Sequence, residues 1–277
     1  MKLKIFSFIL NLILITLPTE ILAAEKNFSI TCSLFPVYDF AREIAGNSSD
    51  VHLLLKPGVE PHEFEPTPLD IKILNDSDVF IFTGEKMEAW AALLPIEKNK
   101  IIDASENIEI FNDDPHVWLD LENAQKMVMN IASGLAKIKP EKSEIFNQNA
   151  EIYCAKLKEL DEKFMSLEKN KTLVFAGEFN FNYFVRRYNF NFISAYDGEN
   201  EPSIKKLAEV LKFINENNLK FIFANTFEIS AITNSIAEQT GTEILFFDSC
   251  EKVKNLDMTF LEIMQANYEA LKKYLND

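Results

Sequence analysis

The sequence predicts an α/β protein with two β/α lobes, mainly parallel sheets and one long rigid connector helix. Short runs rich in β-branched and aromatic residues alternate with amphipathic stretches, once before residue 140 and again after residue 168. The stretch 141–168 between them contains no Gly or Pro, and its apolar residues are mostly three or four positions apart. A helix of that length would span about 40 Å, which favours a stiff connection between two lobes.

Composition indicates a globular protein and narrows the partners it can have. The chain has 277 residues, 47% of them hydrophobic, and a formal net charge of −15. Such acidity argues against binding to nucleic acid or to an anionic membrane surface. The three cysteines, Cys32, Cys154 and Cys250, show no CxxC spacing, so one disulfide is possible without the sequence choosing the pair.

The first 24 residues are typical of a secretory signal peptide. Lys2 and Lys4 are followed by the largely apolar run 5–17 and by the small residues Ala23 and Ala24. A membrane anchor is the alternative, but a span needs roughly 20 apolar residues. We therefore predict export to the periplasm with cleavage near Ala24.

The segment 25–140 contains the elements of the predicted N-terminal lobe. Four strand-like runs alternate with amphipathic stretches and end in turn residues or polar loops. The predicted strands are 28–34, 51–55, 79–82 and 100–103, and the predicted helices are 37–45, 68–75, 87–94 and 121–138.

The predicted connector, 141–168, is followed by a C-terminal lobe, 169–277, in which the alternation is repeated. Its last helix closes the chain. The predicted strands are 172–176, 190–195, 221–224 and 243–247, and the predicted helices are 183–188, 203–216, 230–240 and 259–275.

Four metal-binding side chain types follow predicted strands, two in each lobe. They are His62, His116, Glu178 and Asp248. In open α/β sheets ligands bind beyond the carboxyl ends of the strands, so these residues are candidates for one shared cleft. Two imidazoles and two carboxylates suit a first-row divalent metal ion such as Mn²⁺, Zn²⁺ or Fe²⁺.

Other polar residues near the histidines are candidates for supporting the ligands. Glu60 lies in the proline-bounded loop of His62, while Asp114 and Asp120 flank His116 and could orient its imidazole. His52, the only other histidine, lies in an apolar strand and is interpreted as structural.

Two motifs resemble the histidine signatures of a known family. The stretches 58–66, GVEPHEFEP, and 114–120, DPHVWLD, are similar to those of the metal-binding solute-binding proteins of zinc and manganese uptake ABC transporters, the ZnuA/TroA-like family, cluster A-I. The stretches 201–203 and 235–241 also resemble that family. The resemblance implies two lobes joined by a rigid helix, one metal ion held between them by four side chains, and an ABC permease as partner. It also implies a monomer with no enzymatic activity.

The resemblance also bears on the metal. The family's third ligand is usually a histidine, but counting back from Tyr183 and Phe184 places Glu178 there, as in manganese-type members. Asp248 matches the family's fourth ligand. The histidine-rich loop of many zinc members has no counterpart in this chain, so the resemblance favours Mn²⁺ over Zn²⁺, with Fe²⁺ also possible.

Three alternatives remain at this point. The same ligands could hold an activated water in a metallohydrolase, although that would require an open coordination position. The chain could be a zinc-specific binding protein with a degenerate site. It could also serve as a surface adhesin, on which the sequence carries no information.

Overall fold

The computed structural model describes residues 27–177, 179–196, 202–226 and 229–276. The predicted signal peptide, 1–24, and the candidate ligand Glu178 lie outside the described residues. Two four-stranded sheets are present, and every strand pair in them is parallel. The predicted α/β class with two parallel sheets is confirmed.

The first sheet has the strand order β2-β1-β3-β4, so the chain reverses direction across the sheet after β2. Its central strands are almost fully buried because helices cover both faces of the sheet. The elements are β1 Phe28–Cys32, α1 Phe35–Ala45, β2 Ser49–Leu53, α2 Pro68–Asp76, β3 Val79–Phe82, β4 Ile101–Asp103 and α3 Leu121–Ile138.

The second sheet repeats this arrangement in the order β6-β5-β7-β8. The β5 and β7 strands occupy its centre. The elements are β5 Thr172–Phe175, α5 Asn182–Tyr188, β6 Asn191–Ser194, α6 Ile204–Glu216, β7 Phe221–Ala224, α7 Ala231–Thr240, β8 Glu243–Phe246 and α8 Phe260–Leu275.

Between the sheets runs α4, Ser143–Met165, a helix of 23 residues that spans about 34 Å. It begins after a 3₁₀ turn at Pro140–Lys142 and packs against α3, α1 and α8. The helix therefore contacts elements that belong to both halves of the chain. The exact lobe boundaries, 25–140, 141–168 and 169–277, remain a prediction.

One continuous apolar core extends across the two halves of the chain. The ring centroids of Phe40 on α1 and Phe260 on α8 lie 4.9 Å apart, and those of Phe40 and Tyr153 on α4 lie 5.9 Å apart. The buried Asp39 carboxylate accepts hydrogen bonds from the Tyr153 hydroxyl and the Phe260 backbone N–H, both at 3.0 Å. These contacts hold the C-terminal helix to the first lobe.

The predicted helix at 87–94 is not an α-helix in the structure. Only a 3₁₀ turn forms, at Ala89–Leu93, and Pro95 follows soon after it. The buried Glu88 carboxylate accepts the backbone N–H groups of Thr83 and Gly84. We attribute the difference to this local bonding, because it folds the chain back on the end of β3 and leaves too few residues for a stable helix.

All three cysteines are free thiols, with Cys32 and Cys250 buried. Within the part of the chain that the structure describes, no helix combines the length and apolarity needed to cross a membrane.

Candidate metal centre

His62 lies in the irregular segment between β2 and α2. Pro57, Pro61 and Pro66 restrict its backbone, and the Phe64 N–H donates to the Pro61 carbonyl in a tight turn. The Phe64 ring packs edge-on against Trp90 with centroids 5.6 Å apart. A partly buried aromatic contact therefore anchors the loop while the imidazole two residues earlier stays 26% exposed.

His116 follows β4 and begins the turn that leads into α3. Asp114 Oδ1 accepts the His116 backbone N–H at 2.9 Å and lies 2.6 Å from His116 Nδ1. A carboxylate at Nδ1 fixes the ring so that Nε2 points away from Asp114, which is how proteins commonly orient a metal-binding histidine. The other oxygen of Asp114 accepts the Asn182 side-chain N–H at 2.9 Å, from the second lobe.

Glu251 lies in the loop between β8 and α8, and Asp248 shapes that loop. Asp248 Oδ1 accepts the Cys250 backbone N–H at 2.7 Å, and Oδ2 accepts the Thr226 hydroxyl. The Asn267 side chain bonds both the backbone N–H and the carbonyl of Asp248. Cys250 takes a left-handed backbone, with φ of 58°, which an ordinary side chain adopts only where its surroundings enforce it. The tight turn presents the next side chain, that of Glu251, to the first lobe.

His62, His116 and Glu251 converge in the cleft. One nitrogen or oxygen from each lies within 4.8 Å of the others. Glu251 Oε1 is 2.9 Å from His62 Nε2, and Oε2 is 3.5 Å from His116 Nε2. Tetrahedral zinc with bonds of 2.0–2.2 Å needs ligand atoms about 3.3 Å apart, so the three side chains fit such an ion with small adjustments.

The cluster is enclosed except on the side of His62. The side chains of His116 and Glu251 are only 6% and 3% exposed. His116 Nε2 and Glu251 Oε1 are both buried, and neither makes a hydrogen bond of normal geometry. Buried polar atoms that lack well-formed hydrogen bonds carry a free-energy cost, which a bound metal ion would remove.

Electrostatics couple the three side chains. Burial opposes protonation of His116, but the Asp114 and Glu251 carboxylates outweigh it and raise the pKa of this imidazole to about 9. Burial would raise the pKa of Glu251, yet its two histidine neighbours hold that pKa well below the usual range. A positive charge is therefore favoured in this cleft, whether it comes from a proton or from a metal ion.

The structure unites some of the sequence-derived candidates and separates others. His62 and His116 lie together, and Asp114 orients His116. Asp248 is not part of the cluster found among the described residues, because hydrogen bonds to Thr226 and Cys250 occupy its carboxylate. The geometry does not support the prediction that Asp248 binds the metal, and Glu178 cannot be placed.

Two predicted supporting residues have different contacts. Glu60 accepts the His62 backbone N–H at 3.3 Å and forms an ion pair with Lys252, so it links the His62 loop to the Glu251 loop. Asp120 instead caps α3 by accepting the N–H groups of Glu122 and Asn123, and it pairs with Arg187. These contacts of Asp120 are made to the start of α3 and to Arg187, and not to His116.

Sequence reasoning missed Glu251 because both the position directly after the predicted strand and the family resemblance pointed to Asp248. Glu251 lies three positions further on in the same loop. A local signal could have pointed to Glu251. An Asp in a turn, such as Asp248, commonly accepts the backbone N–H two residues further on, which occupies its carboxylate.

The fold and the residue cluster indicate a binding protein with a candidate metal centre between two parallel sheets. Residues 30–274 match the family model described as zinc-uptake complex component A, periplasmic, and the chain belongs to this family. The family is one of solute-binding components and not of enzymes.

Two curated relatives show the range of lengths within the family. The zinc-binding lipoprotein AdcA of Streptococcus pneumoniae strain R6 is 29% identical over 282 residues, covering 90% of this chain and 56% of AdcA. The high-affinity zinc uptake system protein ZnuA of Bacillus subtilis is 28% identical, covering 89% of this chain and 87% of that protein. This chain thus spans about half the length of AdcA.

Solved structures agree with the fold. The Zn(II)-bound ZnuA-like domain of S. pneumoniae AdcA matches with a TM-score of 0.79 and 29% identity, covering 91% of this chain and all of that domain. The laminin-binding protein Lmb of Streptococcus agalactiae, described as having adhesin and metal-transporting activity, also matches with a TM-score of 0.79 and 29% identity. It covers 90% of this chain and 99% of Lmb.

Proposed function

We propose that this protein is an exported solute-binding protein that captures one divalent transition-metal ion and delivers it to an ABC-transporter permease. The observation that carries the proposal is the convergence of His62, His116 and Glu251 from two lobes on one buried position. Two neutral imidazoles and a carboxylate are donors of borderline hardness, which suits zinc and its first-row neighbours.

We place zinc first among the possible cargo ions. The family resemblance favoured manganese because Glu178 stands where a histidine is usual and the histidine-rich loop of many zinc members has no counterpart. We infer that the hydrogen bonds of Asp248 keep its carboxylate out of the site and that Glu251, with one oxygen close to each imidazole, serves instead. AdcA and ZnuA, two of the relatives named above, are described as zinc-binding or zinc-uptake proteins. Manganese and Fe²⁺ remain competitors to be measured.

The second lobe offers a further candidate ligand. Glu178 follows β5 and belongs to the segment that connects this strand to α5. We propose it as the fourth ligand, since three protein ligands would leave an open position unsuited to tight capture. The partner permease and the export of the chain are further parts of the proposal, supported by family membership and by the sequence of residues 1–24.

Metal stoichiometry in matched variants tests the proposal. We expect wild-type protein to bind one zinc ion, and His62→Ala, His116→Ala and Glu251→Ala each to weaken binding at least about tenfold, as loss of a ligand removes a metal bond. His52→Ala is the control, because His52 is the one remaining histidine and lies exposed on β2. Isothermal titration with zinc and manganese, together with elemental analysis, provides the readout.

Asp248→Asn distinguishes Asp248 from Glu251 as the ligand of the β8–α8 loop. It keeps the shape and two hydrogen-bonding atoms of the side chain, so we expect stoichiometric zinc to remain. Full metal retention in Glu251→Ala, combined with loss in Asp248→Asn, would overturn the site proposed here.

A further inference from the structure

Asn180 contacts the metal cluster from the second lobe. It lies between β5 and α5, and its side-chain N–H donates to Glu251 Oε2 at 3.3 Å. An amide side chain carries no charge, so this contact persists unchanged across the pH range in which histidines titrate.

The backbone around Asn180 is held firmly by its neighbours. Phe179 and Phe181 are buried, and their ring centroids lie 5.0 and 5.1 Å from that of Phe175 on β5. Phe181 also packs at 5.0 Å against Phe247, the residue directly after β8 at the start of the Glu251 loop. Aromatic packing on both sides therefore fixes the distance between the amide and the carboxylate.

The amide makes the two oxygens of Glu251 unequal. Oε1 is buried without a hydrogen bond of normal geometry and lies 2.9 Å from His62 Nε2. Oε2 accepts the Asn180 N–H and lies farther, at 3.5 Å, from His116 Nε2. Oε1 thus faces an imidazole that would itself bind the ion, while Oε2 is also bonded by an amide that would keep this bond when Oε1 binds the ion.

This asymmetry bears on which metal the site prefers. A carboxylate that binds through one oxygen suits the four-coordinate geometry of zinc. A carboxylate that binds through both oxygens raises the coordination number, as oxygen-preferring ions such as Mn²⁺ require. A donor on Oε2 disfavours the second mode, because that oxygen must give up its hydrogen bond before it can bind fully.

We propose that Asn180 is a specificity-determining residue that holds Glu251 in one-oxygen binding and so favours zinc over manganese. It is a positioning residue, since it acts on the metal through Glu251. The inference rests on the proposed function and adds to it the residue that sets the choice of cargo.

The test compares zinc and manganese affinities of wild-type protein and of Asn180→Ala by competition with a chelating dye. We expect the ratio of the two affinities to shift toward manganese by about fivefold or more, the effect of one lost hydrogen bond to a charged group. Asn182→Ala is the matched control, because this amide donates to Asp114 instead and should change both affinities in parallel.

A spectroscopic readout separates coordination from general loosening. Co²⁺ absorbs visible light strongly in four-coordinate sites and weakly in six-coordinate ones. We expect strong absorption in wild-type and Asn182→Ala protein and weaker absorption per bound ion in Asn180→Ala. Thermal unfolding establishes that each variant is folded.

An unchanged affinity ratio together with unchanged Co²⁺ absorption in Asn180→Ala would overturn the inference. A large, equal loss of both metals would also overturn it, because that is the result expected if the amide oxygen itself were a ligand. Failure of wild-type protein to bind metal would instead overturn the proposed function, so the two outcomes are distinguishable.

Discussion

In the proposed site, His116 is the residue at which a proton and a metal ion would compete most directly. Its Nδ1 faces Asp114 at 2.6 Å, and its Nε2 faces Glu251 at 3.5 Å. In the metal-free protein a proton on this imidazole neutralises part of the negative charge of the two carboxylates. A metal ion at the same position would replace that proton, because a ligating imidazole must be neutral.

We therefore expect the apparent zinc affinity to rise with pH up to about pH 9, the folded-state pKa of His116. Below that pH each binding event must displace a proton from this residue. Titration calorimetry in buffers of differing ionisation enthalpy would report the released protons. Affinity that stays constant between about pH 6 and about pH 9 would contradict this expectation.

The stability of the metal-free protein should change in the opposite direction. The pKa of His116 is raised above its ordinary value, so its contribution is fully present below about pH 6.5 and is lost as pH rises through about 9. Chemical unfolding of metal-free wild-type and His116→Gln protein at several pH values would measure how the free energy of unfolding depends on pH. In the variant, the decline that His116 causes at high pH should be missing.

At the scale of single elements, α8 depends on a residue from the other end of the chain. Its own capping box is complete, with Thr259 accepting the Glu262 N–H and Glu262 accepting the Thr259 N–H. The N–H of Phe260 is bonded by Asp39 on α1, a carboxylate that also pairs with Arg42 at 2.5 Å. A negative charge at a helix N-terminus is favourable. Burial raises the pKa of Asp39, and its hydrogen bonds oppose that effect.

Asp39→Ala should lower the free energy of unfolding by about 3 kcal/mol. The substitution removes the carboxylate that bonds the Tyr153 hydroxyl, the Phe260 N–H and the Arg42 guanidinium. Thr259→Ala serves as a comparison within the same helix start and should cost about 1 kcal/mol. Urea unfolding measures both. Equal losses in the two variants would show that the contact between α1 and α8 contributes little beyond ordinary capping.

At the scale of the whole molecule, the lobes are joined by more than the connector helix. The Trp118 indole N–H donates to the Ser249 carbonyl at 2.8 Å, and Asn182 reaches Asp114 across the cleft. The Tyr183 hydroxyl accepts the Phe111 N–H at 2.8 Å. Together with the continuous apolar core, these bonds oppose a wide hinge motion.

Metal binding should therefore change the overall shape very little. We expect small-angle X-ray scattering to give radii of gyration that differ by less than about 1 Å between metal-free and zinc-loaded protein, as for other pre-organised complexes. Hydrogen exchange should slow mainly in the loops of His62 and Glu251. An expansion of several ångströms on metal removal would show that the lobes separate.

The alternation of strands and helices was predictable because each element carries its own periodicity of apolar residues. The 3₁₀ turn in place of a helix at 87–94 was not predictable. The side chain of Glu88 bonds the backbone at the end of β3, and no local pattern reveals this contact. His62 and His116 could be proposed as ligands because histidine is rare in this chain and each follows a strand.

The choice between the candidate acidic ligands required the tertiary structure. Asp248 and Glu251 are chemically similar and only three residues apart, so the sequence alone offers no basis for choosing between them. Thr226, Cys250 and Asn267 bind the carboxylate and backbone of Asp248, and the left-handed turn at Cys250 directs Glu251 to the histidines.

The sequence by itself determined the α/β class, the order of the elements and the candidate histidines of the proposed site, because periodicity and strand-end position are local properties. Only the tertiary structure showed which carboxylate lies beside these histidines and which amide bonds that carboxylate. Those contacts depend on hydrogen bonds between residues far apart in the sequence, such as Thr226 to Asp248 and Asn180 to Glu251, and local sequence patterns carry no information about them.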